Sequence, residues 1–374
     1  MSRIITCILW GCFTAIFVAA LVLLNSGLDY PQPADIQKGN AYETARVIRV
    51  LTDTRQPDPD FPEIAIGVQE LELEVLTGKD RGRRVAMQIA VTRLTHYPAK
   101  PGTKLIVSSY DGFLTGAVVG YSRTGTLFAL VALFVVSVVV FGGRKGLRAL
   151  FGLAFTLCCV VFLFIPLLLK GMDPIVAALV CSVLSVSVTL LALNGFCAKT
   201  AVAGASCILC TLAAGLIAFG FGALTQVSTL STPEAEDLIF VAQGTSLHLP
   251  NLLFAGILIA ATGAMMDTTV SIASSLSELH ALDPGITPKQ LLKSGLNIGK
   301  DVMGTMTNTL ILAFAGSSIN ALLILFMYQM PWQRTLNTSL LVIELLKGMS
   351  GSTALVLSVP VTALLGARLI GKKG

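Results

Sequence analysis

Residues 125–141 read GTLFALVALFVVSVVVF, an unbroken run of 17 residues without one charged side chain. A helix of about 20 apolar residues crosses the ~30 Å hydrocarbon core of a bilayer. Comparable runs, some with isolated polar residues, occur at residues 4–24, 147–169, 174–193, 201–221, 252–272, 303–328 and 340–369. We therefore predict an α-helical integral membrane protein with about eight transmembrane helices.

The composition agrees with a membrane protein. Of 374 residues, 54% are hydrophobic and only 13% are charged, and the mean hydropathy is +0.79. Such values are typical of chains whose main partner is the lipid bilayer. The net charge of +5 comes from Lys and Arg residues in short loops. Because they form no continuous basic face, we predict no nucleic-acid partner.

The positions of the basic residues predict the orientation of the chain. Lys and Arg flank alternate ends of the runs, at positions 3, 144, 145, 148, 199, 289, 293, 300, 372 and 373. Basic loops stay in the cytoplasm, so both termini are predicted to be cytoplasmic in a bacterial inner membrane. The first run is too long for the apolar part of a signal peptide. We predict an N-terminal anchor at 1–28, an extracytoplasmic domain at 29–120 and a seven-helix membrane domain at 121–374.

The segment between the first and second runs has the pattern of β-strands. Leu71, Leu73 and Val75 alternate with glutamates, and period-two alternation is typical of a half-buried strand. Similar stretches occur at 45–50, 85–91 and 104–107. We predict a small all-β domain, a barrel or sandwich of about five strands, inserted between the first and second transmembrane helices.

Two further segments resemble amphipathic helices. Residues 231–241 begin with the Ser-Thr-Pro-Glu pattern of a helix start. Residues 287–300 place three leucines among three lysines. Both are predicted to lie at a membrane surface.

Polar residues are concentrated in the last three runs. Gly263, Asp267, Ser271 and Glu278 recur at helical spacing on the sixth. An ionised side chain at the bilayer centre costs at least about 2.5–3.5 kcal/mol, so such residues usually have a function. Asp267 is therefore the leading candidate for a titrating or ion-binding group.

The seventh run repeats this pattern with Asp301, Thr305 and Asn308. At a rise of about 1.5 Å per residue, Asp267 and Asn308 reach similar depths in neighbouring helices. We therefore predict that they approach each other closely. Ser271 and Thr305 would help to shape the site.

The eighth run contains Glu344 and Lys347, whose spacing allows an ion pair on one helix. Together with Asp267 and Asp301 they could form a polar track for a proton or an ion. The alternative is that the Ser, Thr and Gly residues are packing surfaces and that Glu344 is solvated at the interface. No metal-ligand set can be assigned, and no cofactor is expected.

The last three runs resemble the YibE/F-like family of bacterial membrane proteins. The resemblance rests on GAMMD at 263–267, on IGKDVMGTMTNTL at 298–310, and on GS at 351–352 with VP at 359–360. It implies the same order of anchor, outer β domain and membrane core, but no assigned chemistry. A weaker resemblance to the SecD/SecF and resistance-nodulation-division membrane core implies a proton-driven cycle.

Two functional hypotheses follow. The first is a permease or proton/ion-coupled transport protein for an unidentified ion or small molecule, with Asp267 at its site. The second is a sensing or assembly component whose β domain binds a partner and whose helices anchor it and form a homo-oligomer or a complex with another membrane protein. In the second case Gly348 and Gly351 would be subunit contacts. Catalytic motifs such as H-E-x-x-H, G-x-S-x-G and a P-loop are missing from the sequence, so we do not expect an enzyme.

Overall fold

The computed structural model describes residues 17–26, 41–95, 97–109 and 117–371. These divide into two compact units, a helical unit of residues 17–26 and 138–371 and a second unit of residues 41–137. Of the predicted anchor, residues 17–25 form a helix, α1. Residues 1–16 and 27–28 of the predicted anchor, and residues 29–40, 96 and 110–116 of the predicted β domain, lie outside the described residues.

The second unit contains an antiparallel β-sheet. Its strands are β1 (Ala41–Asp53), β2 (Gln56–Pro57), β3 (Ala65–Val75), β4 (Arg84–Val91), β5 (Lys104–Ser109) and β6 (Val118–Tyr121). β2 continues the pairing of β1 with β3, so the order across the sheet is β4, β3, β1/β2, β5, β6. This confirms a small β region; its sheet has six strands, against about five predicted, and a barrel or sandwich stays a prediction. The sheet buries one apolar face.

The alternation in β3 matches the prediction. Leu71, Leu73 and Val75 are fully buried in the core of the sheet, while the intervening glutamates face outward. At Gly67 the backbone of β3 approaches Arg55 so closely that a Cβ would lie 2.7 Å from the Arg55 Cα. Its φ of 147° also disfavours any other residue.

An ion-pair cluster fixes the loop after β2. Arg93 donates to both oxygens of the buried Asp58, with a distance of 2.7 Å from Nη2 to Oδ1, and also to Asp60. The backbone N–H groups of Asp60 and Phe61 donate to Asp58 as well. The Arg93 guanidinium, followed by these backbone hydrogen bonds, lowers the pKa of Asp58 to about 2.

The remaining long elements in the described residues are helices. The helices are α2 (Thr124–Cys159), α3 (Ile165–Leu169), α4 (Pro174–Asn194), α5 (Ala198–Leu224), α6 (Ala235–Gln243), α7 (Leu252–Leu282), α8 (Pro288–Ser317), α9 (Ile319–Met327), α10 (Trp332–Leu336) and α11 (Ser339–Leu369). A π-helical segment, Val160–Phe164, joins α2 to α3.

Within the described residues, five helical stretches are long and apolar enough to cross a membrane, and the bent pair α8–α9 can be a sixth. The five are Thr124–Leu169, Pro174–Asn194, Ala198–Leu224, Leu252–Leu282 and Ser339–Leu369. This supports a membrane protein built from several apolar helices. A total of eight transmembrane helices stays a prediction.

The first stretch is divided at Gly143. Its 46 residues would measure about 69 Å as one helix, more than twice the hydrocarbon core. Gly143 has a non-helical backbone, with φ 52° and ψ −132°. A Cβ on Gly146 would overlap the carbonyl oxygen of Val138, although residues eight apart in a straight helix are separated by about 12 Å. The chain therefore turns back here, between the predicted runs 125–141 and 147–169.

Two predicted boundaries differ from the structure. The segment 287–300 is not a separate surface helix, because it forms the first turns of α8, where Leu291 is fully buried. The seventh predicted run, 303–328, is interrupted by a 63° bend between α8 and α9. The predicted helix within 231–241 is present as α6.

Close glycine contacts join α7, α8 and α11 near the C-terminal ends of α7 and α11 and the N-terminal half of α8. A Cβ on Gly299 of α8 would overlap Val359 of α11. A Cβ on Gly366 of α11 would lie 2.5 Å from Leu276 of α7. Close backbone approach of this kind is typical of helices packed in membranes.

Candidate functional site

Asp267 is the central residue of α7. It lies fifteen residues from each end of Leu252–Leu282, about 22 Å along the axis from either end. The opposite face of α7 carries Met265, Ile272 and Leu276, which are fully buried in the helical core. Asp267 and Ser271 are exposed on the side of the bundle. The polar residues of α7 therefore share one face, as their spacing predicts, and that face points away from the core.

The polar residues of α8 have a similar arrangement. Asp301, Thr305 and Asn308 are exposed, whereas Gly295 and Gly299 are buried. A Cβ on Gly295 would lie 3.0 Å from Ala363 and 3.2 Å from Leu276. The small residues of α8 thus make the helix contacts, and its carboxylate, hydroxyl and amide groups stay outside them.

Two contacts fix the relative depth of these residues. A Cβ on Gly295 would touch Leu276, and one on Gly351 would touch both Ala261 and Leu310. Because α7 and α8 are antiparallel neighbours, these contacts place Gly304 at the same level as Asp267.

Asp301 and Thr305 therefore lie within about one helical turn of the level of Asp267, and Asn308 lies about 6 Å along the axis from it. This register agrees with the prediction from the sequence that these groups lie at similar depths.

The groups are nevertheless not bonded to one another. The Ser271 hydroxyl donates to the backbone oxygen of Asp267 over 2.8 Å, and the Thr305 hydroxyl donates to the Val302 oxygen over 3.0 Å. Among the described residues, the Asp267 carboxylate has no ion pair or hydrogen bond. The predicted direct contact between Asp267 and Asn308 is not present as a hydrogen bond in the structure.

Glu344 and Lys347 form the predicted ion pair, with Nζ 2.9 Å from Oε1. Their side chains are 20% and 30% exposed. The second carboxylate oxygen of Glu344 is buried and has no hydrogen-bond partner in the described part of the chain.

This pair lies far from Asp267. The Gly366–Leu276 and Gly351–Ala261 contacts align α11 with α7 and separate Glu344 from Asp267 by about 20 Å along the axes. Leu310 and Phe314 lie against Gly351 between the two levels. The predicted polar track is interrupted there. Gly348 and Gly351 are buried within this chain, and their role as subunit contacts stays a prediction.

A second group of polar side chains, absent from the sequence prediction, surrounds a cavity of about 90 Å³ between the end of α2, α4 and α7. Its hydroxyl-bearing residues are Thr156, Ser182, Ser185 and Thr262. Gly263 and Met266, which immediately precede Asp267, also line it. The spacing of Ser182, Ser185 and Thr189 on one face of the fourth run is the signal that could have revealed it.

Comparison with known proteins identifies the family. The model of the YibE/F-like protein family matches residues 130–372, well over half of the chain. No curated protein and no solved structure gives a match. The matched region contains every residue of the candidate site, and most of the β-sheet unit lies outside it. The chain is therefore a membrane protein that belongs to the YibE/F-like family.

Proposed function

We propose that this protein is a permease or a proton/ion-coupled transport protein in which Asp267 is the titrating or ion-binding group. One observation carries the proposal: a carboxylate with no ion pair or hydrogen bond to any described residue stands at the midpoint of a long apolar helix. Ser271, Asp301, Thr305 and Asn308 are at similar depth and would shape its surroundings.

The physical reason is the difference between the two forms of the carboxyl group. The ionised form costs at least about 2.5–3.5 kcal/mol inside a bilayer, while the protonated form is neutral. The charge on Asp267 would therefore depend on whether water, a cation or a polar surface reaches it. A group whose charge depends on access in this way is suited to couple ion movement to a change of conformation.

The orientation proposed for this function follows from the basic loops. Both termini would be cytoplasmic in a bacterial inner membrane, with the β-sheet unit outside. Alkaline phosphatase is active only outside the cytoplasm, so fusion after Gly374 should give no activity. Activity of the fusion would show that the C-terminus lies outside the cytoplasm and would contradict the proposed orientation.

A sensing or assembly role is the second candidate, and a groove on the β-sheet unit favours it. The groove has a volume of about 990 Å³ and is lined in part by Pro57, Ile66, Val68 and Leu94. Leu94 is 95% exposed, and exposed apolar surface of this kind often marks a binding site. If this role is correct, Leu94→Asp should abolish the cellular function while leaving any ion flux in purified protein unchanged.

The test of the transport proposal is ion flux in proteoliposomes. Purified protein would be exposed to a proton gradient or to a sodium gradient, and Asp267→Asn would be compared with the wild type. We expect flux in response to one gradient and its loss in Asp267→Asn. Glu278→Gln is the matched control, because Glu278 is an exposed acid on the same face near the end of α7. Unchanged flux in folded Asp267→Asn would overturn the proposal.

A further inference from the structure

We infer that the cavity between α2, α4 and α7 is a water-binding chamber that supplies water to Asp267. Its hydration follows from the cavity itself, whereas its use as a proton route rests on the proposed function.

The size suits a small cluster of water. The cavity measures about 90 Å³, and one water molecule occupies about 30 Å³ in the liquid. About three water molecules would fit.

The lining can bind water at several points. Thr262 donates to the carbonyl oxygen of Leu258 over 2.7 Å, and its hydroxyl oxygen lies 3.1 Å from that of Ser182. Thr211 lies on the other side, 3.3 Å from Thr262. Thr262 and Ser182 are therefore held in fixed positions by bonds between three helices. The Thr262 hydroxyl has its full set of partners, whereas the Ser182 hydroxyl bonds only to Thr262 among the described residues and retains hydrogen-bonding capacity.

Ser185 gives an independent indication of a bound molecule. The residue is only 8% exposed, and its hydroxyl oxygen is buried with no hydrogen-bond partner among the described residues. The thiols of Cys159 and Cys181 are its polar neighbours, but neither bonds to it in an acceptable geometry. Buried hydroxyl groups are rarely left unpaired, and ordered water is the usual partner where protein supplies none.

The lining also limits what the molecule can be. In the part of the chain that the structure describes, no charged side chain borders the cavity. A cation or anion placed there would lack the compensating charge that a buried ion requires. A neutral molecule that both donates and accepts hydrogen bonds can bind there without a compensating charge. Water is such a molecule and is always available to a membrane protein.

The position connects the chamber to Asp267. Gly263 lines the cavity and is also exposed on the Asp267 face, one helical turn away. That turn corresponds to about 6 Å along the axis. A Cβ on Gly263 would meet no atom within 4 Å, so this position is open space. Gly263 thus marks an opening between the chamber and the carboxylate.

Hydroxyl-radical footprinting by X-ray radiolysis tests the hydration directly, in the full-length protein. Radicals formed from bound water oxidise adjacent methionines. Met266 lines the chamber, Met265 next to it is fully buried in the core, and Met349 is exposed on the side of the bundle. We expect Met266 to be oxidised several-fold faster than both of the other two. A rate of Met266 oxidation no higher than that of Met349 would overturn the inference that the cavity holds water.

Substitutions distinguish water from an empty cavity. If the Ser185 hydroxyl is unpaired, Ser185→Ala removes a penalty and should raise the melting temperature. If water bonds to it, Ser185→Ala should lower the melting temperature and slow the oxidation of Met266. Ser352→Ala is the matched control, because its hydroxyl is also buried without a partner in the described residues but does not line this chamber. A higher melting temperature with unchanged oxidation would contradict the inference.

Gly263→Val separates the chamber from the transport function. It should block the opening without steric conflict, so Met266 should remain labelled while flux falls several-fold. If Met266 is oxidised in all samples but the wild type shows no flux, the inference that the cavity holds water is upheld and the transport proposal is wrong. If flux depends on Asp267 but Met266 is unlabelled, the transport proposal stands and the chamber fails.

Discussion

Asn25 donates a hydrogen bond from its side-chain amide to the carbonyl oxygen of Phe162, over 2.9 Å. Pro166, four residues after Phe162, has no N–H group and cannot donate to that oxygen as a helix residue ordinarily would. The π-helical segment Val160–Phe164 lies at the same place. A side chain of α1 thus satisfies a backbone oxygen that proline leaves open, and this joins the N-terminal helix to the rest of its unit.

The first prediction concerns this bond. Asn25→Leu removes the donor, and we expect the free energy of unfolding to fall by about 1 kcal/mol, as for other single hydrogen bonds between membrane helices. Thermal unfolding in detergent would measure it. Ser26→Ala is the control, because among the described residues the Ser26 hydroxyl donates only to the Leu23 oxygen of its own helix. Equal melting temperatures for Asn25→Leu and the wild type would show that the bond contributes nothing.

The second prediction concerns the contact between α8 and α11. A Cβ on Gly299 would overlap Val359, whereas a Cβ on Gly304 would meet nothing within 4 Å. Gly299→Ala should therefore cost about 1–3 kcal/mol through overpacking, while Gly304→Ala on the same helix should be neutral or slightly stabilising. Thermal unfolding of both variants checks this, and a similar effect of the two substitutions would contradict the packing described.

The third prediction concerns pH and the β-sheet unit. The pKa of Asp58 is lowered from 3.8 to about 2 by Arg93. A carboxyl group with a depressed pKa stabilises the folded state above its ordinary pKa and loses that contribution as the pH falls through the folded value. We expect the amides of Asp60 and Phe61 to lose protection from hydrogen exchange between about pH 4 and pH 2.

Hydrogen-exchange mass spectrometry, corrected for the intrinsic effect of pH, would measure this loss of protection. Asp58→Asn should already be less protected at pH 7 and should vary less with pH. Full protection of the wild type below pH 2 would count against the Arg93–Asp58 pair as the cause.

The fourth prediction separates the Glu344–Lys347 pair from Asp267. Lys347→Met leaves a half-buried carboxylate without its partner and should destabilise the protein, whereas the double variant Glu344→Gln/Lys347→Gln should recover part of the loss. The double variant should retain ion flux, because the pair lies about 20 Å from Asp267 with Leu310 and Phe314 in between. Loss of flux in a folded double variant would mean that the two groups act together.

Much of the fold can be predicted from the sequence for simple reasons. Burial of one face of a sheet imposes the alternation seen in β3, and the spacing of Asp267 and Ser271 places them on one helix face whatever surrounds them. The direction of that face depends on which neighbours α7 packs against. Periodicity contains no such information, so the exposed position of Asp267 could not be predicted.

Two other features could not be predicted for related reasons. Residues 287–300 have the same leucine and lysine pattern whether they lie on a membrane or extend a bundle helix, and only the packing of Gly295 and Gly299 distinguishes the two. The chamber depends on hydroxyl groups from three helices. Taken alone, each of these Ser and Thr residues is ordinary in an apolar helix. The cluster forms only when the helices pack together.

The most direct test of the role of Asp267 is chemical modification in the bilayer. Dicyclohexylcarbodiimide reacts with protonated carboxyl groups in apolar surroundings, and mass spectrometry can follow the Asp267 peptide while flux is measured in the same proteoliposomes. We expect flux to fall in proportion to the modification of Asp267, and labelling to slow as the pH rises. Full modification of Asp267 with undiminished flux would contradict the proposed role.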